Sequence, residues 1–161
     1  MLEFFYKRRS IRKYTSEPVP EQMITDLLKA AMSAPSGNNR QPWEFIVVRE
    51  QKMRKALAKS SPYAQMAEFA PLVIVVAGEL KEPWMEQDCA AATENLLLAA
   101  ANMGLGAVWC GLRDEREEEV RALLGIPGTH RAFCVIPVGY PAEEKEPRTQ
   151  YTKVKVHWEK Y

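Results

Sequence analysis

Residues 84–103 read W-M-E-Q-D-C-A-A-A-T-E-N-L-L-L-A-A-A-N-M, and this stretch decides how the rest of the chain is arranged. It predicts a long helix with alanine or leucine on nearly every side. A helix that is apolar all round lies in the middle of a structure or at a subunit interface. Gly104 and Gly106 end the helix. We therefore expect other elements, or a second subunit, to cover it.

Apolar runs and amphipathic patterns predict the elements around this helix. Continuous apolar runs at 71–77 and 132–138 are typical of strands buried on both faces. The other predicted elements are a short helix or turn at 2–7, two further strands at 44–48 and 105–110, and three helices at 21–34, 51–59 and 114–125.

The composition is that of a globular protein with almost no net charge. A length of 161 residues predicts a single domain over residues 1–161. The net charge of +1 gives no reason to expect nucleic acid or an anionic membrane as a partner. A local cluster of arginines is therefore stronger evidence for an anion-binding site here than it would be in a basic protein.

The sequence argues against a membrane segment, a metal centre and a disulfide. The most apolar stretch, 89–103, is interrupted by polar residues, and residues 1–6 lack the features of a signal peptide. A cytoplasmic location is therefore expected. Cys89, Cys110 and Cys134 lie in apolar surroundings, which favours buried thiols over a redox role. The two histidines are isolated, so no metal site is expected.

The first of two candidate binding segments is R-R-S-I-R at residues 8–12. It places three guanidiniums and a hydroxyl within five residues. The guanidinium fork matches phosphate oxygens and stays charged at any working pH. A solvated basic turn is the plainer interpretation, because short arginine clusters arise easily by chance.

The second candidate segment is P-S-G-N-N-R-Q-P-W at residues 35–43, which runs directly into a predicted strand. A packed loop with this many amides must satisfy them somewhere, and it could lie against a flat polar ring. It could also be a simple connection, since asparagine and glycine are common in loops. Together the two segments suggest a site for a phosphorylated, planar cofactor.

The end of the chain alternates apolar and polar residues. Val154, Val156 and Trp158 are separated by single basic residues, a pattern that predicts a half-buried strand. A proline- and charge-rich connection at 141–147 precedes it. The strand could pack on its own sheet or reach across to a second subunit, and the residues alone leave both possibilities open.

Four motifs in order resemble the nitroreductase-like family of FMN-dependent oxidoreductases. They are R-R-S-I-R-K-Y from residue 8, P-S-G-N-N-R-Q-P-W-E-F-I-V-V from residue 35, A-A-A-T-E-N-L-L-L-A-A-A-N-M-G-L-G-A-V-W-C-G from residue 90 and V-I-P-V-G-Y-P-A-E-E-K-E-P-R from residue 135. The resemblance covers essentially the whole chain. It implies an α+β fold with a central, mainly antiparallel mixed sheet flanked by helices. It also implies an intertwined homodimer with C-terminal strand exchange, and it favours residues 154–158 crossing to the partner.

The resemblance implies that basic residues at both ends of the chain hold the cofactor FMN. Arg8 and Ser10, and with them Arg9 and Arg12, would bind the phosphate and the polar edge of the flavin. Arg148 matches a late arginine that completes the phosphate clamp. Arg12 would also place positive charge near the N1–O2 edge, where the reduced flavin becomes anionic.

The resemblance assigns the flavin ring to two further segments. One would approach the ring from the facing subunit, and the other would direct a backbone N–H at flavin N5. The first comprises Pro35, Ser36, Asn39 and Gln41, and the second comprises Cys110 and Gly111. No side chain is nominated as a catalytic acid or base, because the flavin carries the chemistry.

Two departures from the family pattern concern the phosphate clamp and the cover of the flavin. Glu146 stands where some relatives carry a lysine. Either Lys145 replaces that lysine, or the phosphate clamp has one basic residue fewer. The short span at 78–85 leaves little room for the inserted helical segment that covers the flavin in larger relatives. We therefore expect a more open substrate pocket.

The expected activity is that of an FMN-dependent oxidoreductase. It would take hydride from NADH or NADPH and reduce a small electron-poor acceptor, such as a nitroaromatic or a quinone, by a ping-pong mechanism. One alternative is a specialised relative that destroys flavin or removes halide reductively. A second alternative is a non-catalytic flavin-binding or redox-sensing protein. A third is a binder of nucleic acid or phosphoprotein that uses the arginine cluster.

Overall fold

The computed structural model describes residues 3–161. Its helices are α1 (Glu3–Lys7), α2 (Glu21–Met32), α3 (Gln51–Lys59), α4 (Met85–Asn102) and α5 (Glu115–Leu124). Its strands are β1 (Trp43–Val48), β2 (Leu72–Glu79), β3 (Gly106–Ala107), β4 (Cys110–Gly111) and β5 (His130–Gly139). Short 3-10 turns occupy Gly37–Asn39, Gln65–Glu68 and Lys153–Lys155.

The five strands form one sheet in the order β1-β2-β5-β3, and β4 also pairs with β5. Each of these pairings is antiparallel. A parallel bridge between Ser10 and Ala107 adds the N-terminal segment to the outer side of β3. The expected mainly antiparallel mixed sheet flanked by helices is therefore confirmed.

Strand β2 separates two hydrophobic cores. Its apolar run alternates, so that Leu72, Ile74 and Val76 pack on one side while Val73 and Val75 pack on the other. The first core includes residues of α2 and α4, and the second includes residues of α3 and α5. The fold thus has three layers, with helices on both faces of the sheet.

Helix α4 is buried along one side and half-exposed along another. Leu96 and Ala100 are fully buried, whereas Asn95 and Leu98 remain partly accessible. The accessible side lines a groove of about 510 Å³ that also contacts Phe4 of α1 and Ala30 of α2. The predicted all-round apolar helix therefore has one face that the described part of the chain does not cover.

The buried side of α4 should dominate its contribution to stability. We expect Leu96→Ala to lower the free energy of unfolding by about 2–5 kcal/mol, because it removes packing and leaves a cavity. The matched control Leu80→Ala changes a side chain that is 54% exposed and should stay within about 0.5 kcal/mol. Urea unfolding followed by circular dichroism measures both. Equal effects of the two variants would contradict this assignment of the core.

Two predicted strands differ from the structure. The strand expected at 105–110 is divided into β3 and β4, separated by Val108 and Trp109. Val108 donates a long hydrogen bond of 3.4 Å to the Pro137 carbonyl, and Pro137 has no N–H to return it. The ladder is therefore interrupted at this pair.

The predicted strand at 154–158 is not formed in the described chain. The segment contains the 3-10 turn Lys153–Lys155, and its large apolar side chains are exposed, Val154 by 81% and Trp158 by 80%. A strand requires a partner edge to satisfy its backbone groups, and none pairs with this segment within residues 3–161.

Candidate functional site

The arginine-rich segment lies along the free edge of the sheet. Ser10 pairs with Ala107 of β3, and the N–H of Ile11 donates to the Ala107 carbonyl at 3.1 Å. Ser10 is half-buried and Arg12 is exposed. The chain therefore presents a hydroxyl and a guanidinium at an open sheet edge.

Gly111 directs its backbone N–H toward the same edge. The N–H of Leu112 donates to the Phe133 carbonyl at 3.3 Å, and Cys110 stands opposite Val135. In an antiparallel ladder alternate residues face the partner strand, so the N–H of Cys110 faces β5 and that of Gly111 faces away. Within residues 3–161, β4 pairs with β5 alone. The N–H of Gly111 is thus available to a ligand.

Open space surrounds Gly111. A Cβ built there would meet nothing nearer than the indole nitrogen of Trp109 at 4.0 Å. The chain's own packing therefore does not require glycine at this position. A glycine with free space and an unused N–H suits the close approach of a flat ligand to the backbone.

Arg12 places a positive charge beside β4. Burial raises the pKa of the Cys110 thiol to about 11, and the nearby Arg12 guanidinium opposes that shift. Arg8 lies further along the segment, where its Nε is 3.3 Å from Oε1 of Glu94 in α4. This contact engages the Nε side of the guanidinium and leaves the terminal nitrogens for an anion.

The late basic segment holds the N-terminal segment in place. The N–H of Arg148 donates to the Tyr6 carbonyl at 3.1 Å, and the Arg9 guanidinium donates to the Glu146 carbonyl. Lys145 donates to the Ser10 carbonyl. The structure therefore uses Arg9 and Lys145 within the chain, and Lys145 is not a free replacement for the lysine of some relatives.

Glu143 completes this attachment. Its carboxylate accepts the N–H of Arg12 at 2.6 Å and that of Lys13 at 3.3 Å, and it lies 3.4 Å from the Lys145 ammonium. The N–H of Arg12 is the main reason that the pKa of Glu143 is lowered. The ionised carboxylate thus stabilises the backbone at Arg12.

The low pKa of Glu143 predicts a pH-dependent contribution to stability. A depressed carboxyl pKa stabilises the fold above the ordinary glutamate pKa of about 4.3, and the effect is lost as the pH falls through the folded-state value. We expect Glu143→Gln to melt at a lower temperature than the parent protein at pH 7. The difference should persist down to the ordinary glutamate pKa of about 4.3 and disappear only as the pH falls through the lower folded-state value. Thermal melts over a series of pH values from 7 downward measure this, and a constant difference would refute it.

The loop at 35–41 is stabilised by its own polar side chains. Ser36 Oγ accepts the N–H of Gln41 at 3.0 Å, and Gln41 Nε2 donates to Asn39 Oδ1 at 3.1 Å. Asn39 and Gln41 both have positive φ values, 56° and 51°. Pro35 is exposed at the start of this loop. The predicted ring-contacting residues therefore form one ordered and accessible unit.

This loop and the arginine segment contact different sides of α4. The N–H of Gly37 donates to both Asp88 oxygens at 3.1 and 3.2 Å, whereas Arg8 contacts Glu94. Glu94 follows Asp88 by six residues, which corresponds to about 9 Å along the helix axis and a rotation of about 240° around it. The structure therefore joins the arginine segment to β3 and, through Tyr6, to Arg148, with Arg12 near Cys110, whereas the loop is attached to a different turn of α4.

Sequence reasoning missed three acidic residues that support the site. Asp88, Glu94 and Glu143 each contact a predicted binding segment, yet each sits in an ordinary helical or charged stretch of sequence. The sequence signal for these acidic residues was weak. An acid within the apolar helix, such as Glu94, needs a partner or solvent, but its spacing does not identify the partner.

Comparison with known proteins agrees with the motifs and the geometry. Residues 6–68 and 60–140 match the model of the nitroreductase family. The chain belongs to the nitroreductase family. The resemblance inferred from the four sequence motifs is thereby confirmed, and the enzyme class is oxidoreductase.

Three similar proteins cover most or all of the chain. A protein of Archaeoglobus fulgidus, provisionally named NADH dehydrogenase/NAD(P)H nitroreductase, is 43% identical over 99% of this chain and 98% of its own. The solved FMN-dependent nitroreductase of Clostridium difficile R20291 is 31% identical over the full length of both chains, with a TM-score of 0.95. Iodotyrosine deiodinase of Thermotoga neapolitana is 28% identical over 86% of this chain and 87% of its own.

Residues 3–161 show neither a membrane-spanning helix nor a cluster of metal ligands. None of the helices in that range is both long and apolar enough to cross a membrane. The same residues contain no group of three or more histidine, cysteine or acidic side chains placed to hold a metal ion.

Proposed function

We propose that this nitroreductase-family protein binds FMN at the edge formed by residues 8–12 and β4, and that it transfers electrons from NADH or NADPH to a small electron-poor acceptor. The observation that carries the proposal is the shared edge. Ser10 and Arg12 belong to the segment that pairs with β3, and the unused N–H of Gly111 faces away from β5 on the side where β3 lies.

The residues at this edge fit the chemistry of FMN. The terminal nitrogens of Arg8 and the hydroxyl of Ser10 suit the phosphate and the polar edge of the ring. The backbone of Arg148 lies beside Tyr6, close to the arginine segment. The side chain of Arg148 would complete the phosphate site. The free space at Gly111 admits a flat ring against the backbone.

Bound FMN supplies hydride acceptance and donation, which no side chain of the protein can provide. The chain contributes orientation and electrostatics. The N–H of Gly111 would donate a hydrogen bond at the ring nitrogen N5, and Arg12 would stabilise negative charge on the opposite ring edge. The open edge would let the nicotinamide and the acceptor bind in turn at one site, which gives ping-pong kinetics.

The protein would act as a homodimer with FMN at the subunit interface. Three observations support this: the loop at 35–41 and the arginine segment contact different sides of α4, a groove lies along the accessible side of α4, and the C-terminal segment exposes Val154 and Trp158. A second subunit would bring its loop to the ring and cover the exposed apolar side chains. The C-terminal segment would form its strand on that partner.

Two measurements test the proposed function. The purified protein should absorb at the flavin bands, and anaerobic mixing with NADH or NADPH should bleach them. A colourless protein that takes up no added FMN would refute the cofactor assignment. An FMN-loaded protein that neither nicotinamide reduces would instead favour a flavin-binding or sensing role without catalysis.

The relationship to iodotyrosine deiodinase raises a second candidate, the reductive removal of halide from an aromatic ring. The same edge would serve, because that reaction also draws electrons from reduced flavin. Reoxidation of the reduced protein by 3-iodotyrosine or by a nitroaromatic compound separates the two activities. Iodide release on mixing with 3-iodotyrosine would favour the second candidate.

A further inference from the structure

Asp88 is a buried carboxylate that contacts the loop at 35–41 directly. It lies in the first turn of α4 and is only 7% exposed. Both of its oxygens accept the same backbone N–H, that of Gly37, at 3.1 and 3.2 Å. Aspartate is almost never buried without a partner, so this contact accounts for its position.

Gly37 is held by a second contact from the same helix turn. A Cβ built on Gly37 would lie 2.6 Å from Cδ1 of Trp84, so the loop backbone rests directly on the indole. Trp84 precedes Asp88 by four residues and therefore lies on the same side of the helix. The indole limits how close the loop can come, and the carboxylate prevents it from moving away.

The loop needs such an anchor because of its backbone conformation. Asn38, Asn39 and Gln41 all have positive φ values, between 50° and 56°. Side-chain-bearing residues adopt this region at a cost and remain there only when the surrounding structure holds them. The hydrogen bonds within the loop cannot fix its position relative to α4, whereas the bond from Gly37 to Asp88 can.

We propose that Asp88 is a positioning residue for cofactor binding: through Gly37 it fixes the loop so that Pro35, Ser36 and Asn39 face the FMN ring of the partner. This inference rests on the proposed function. Helix α4 carries the carboxylate that holds the loop and, at Glu94, the carboxylate that holds Arg8. One helix thus sets the position of both cofactor-binding segments.

The test compares three variants of the full-length protein. Asp88→Ala leaves the N–H of Gly37 without its acceptor, and we expect FMN affinity to fall about tenfold, the loss of roughly 1.4 kcal/mol. The visible circular dichroism of bound FMN should change as well, because the ring environment shifts. Asp88→Asn retains an oxygen that can accept the same N–H and should restore most of both signals. The matched control is Glu86→Ala, an exposed acid of the same helix turn that contacts Arg131, not the loop, and it should keep the FMN affinity and dichroism of the parent protein.

A fourth variant, Gly37→Ala, keeps the inference testable if Asp88→Ala does not fold. Gly37→Ala leaves the carboxylate intact but forces the loop off Trp84, and it should reproduce the loss of FMN affinity and the altered dichroism. Wild-type values of affinity and dichroism in both Asp88→Ala and Gly37→Ala would overturn the inference.

Hydrogen exchange of the Gly37 amide separates this inference from the proposed function. In the FMN-free protein, exchange should be slow in the parent and in Asp88→Asn, and fast in Asp88→Ala. Equal exchange rates in the parent and Asp88→Ala would overturn the anchoring role whether or not FMN binds. If the parent protein shows slow exchange at Gly37 but binds no FMN, the anchoring role stands and the proposed function is refuted.

Discussion

Gly111→Pro should lower the rate of flavin reduction by NADH or NADPH about 100-fold while leaving the protein folded and able to bind FMN. Proline removes the N–H that faces the open edge, and loss of one preorganised donor typically costs about 100- to 1,000-fold in rate. The fold should tolerate proline because Gly111 does not donate to β5 and lies at a sheet edge. Anaerobic stopped-flow absorbance measures the rate.

Gly111→Ala is the matched control for this prediction. It keeps the N–H, and its methyl group meets nothing in the described chain nearer than the Trp109 indole at 4.0 Å, but it enters the space proposed for the ring. We expect weaker FMN binding than in the parent protein, with most of the flavin reduction rate retained once FMN is saturating. If Gly111→Pro reduces its flavin as fast as Gly111→Ala, then the N–H of Gly111 has no role in the reaction.

Arg8→Ala should weaken FMN binding by about 1.5–3 kcal/mol, which corresponds to roughly 10- to 150-fold in Kd. The guanidinium would provide charged hydrogen bonds to the phosphate, and its truncation also leaves Glu94 without its ion partner. Fluorescence titration of the FMN-free protein measures the affinity. Arg49→Ala, which removes an exposed arginine just after β1, is the control and should leave Kd unchanged.

The double variant Arg8→Ala/Glu94→Gln distinguishes two causes of the expected loss. If Arg8→Ala weakens FMN binding only because the guanidinium is missing, the double variant should bind FMN as poorly as Arg8→Ala. If the uncovered Glu94 carboxylate also repels the phosphate, the double variant should recover part of the affinity. Unchanged FMN affinity in Arg8→Ala itself would count against the phosphate assignment.

The sequence predicted the layered core well because the relevant signals are local. The apolar run at 71–77 predicted a doubly buried strand, and β2 is buried on both faces. The alternation at 154–158 was equally clear, yet no strand forms there in the described chain. Periodicity reports which residues suit a strand, but a strand also needs a neighbouring edge, and the sequence does not say where that edge is.

The candidate site was predictable in its parts but not in its arrangement. The motifs predicted the arginine segment, the loop and Gly111. They did not predict the supporting carboxylates Asp88 and Glu143. Each acts through a backbone N–H that is distant in sequence, at Gly37 or Arg12. Such contacts depend on tertiary structure, and a single sequence carries no pattern that marks them.

The buried thiol of Cys110 has a consequence for how the protein withstands its own chemistry. With its pKa raised to about 11, only about one in ten thousand of these side chains is a thiolate at pH 7. The thiolate is the form that peroxides oxidise and alkylating agents attack. If FMN binds at β4 as proposed, the sulfur nearest the flavin is held as an unreactive thiol, and repeated turnover should not inactivate the enzyme by oxidising Cys110 to sulfenic acid.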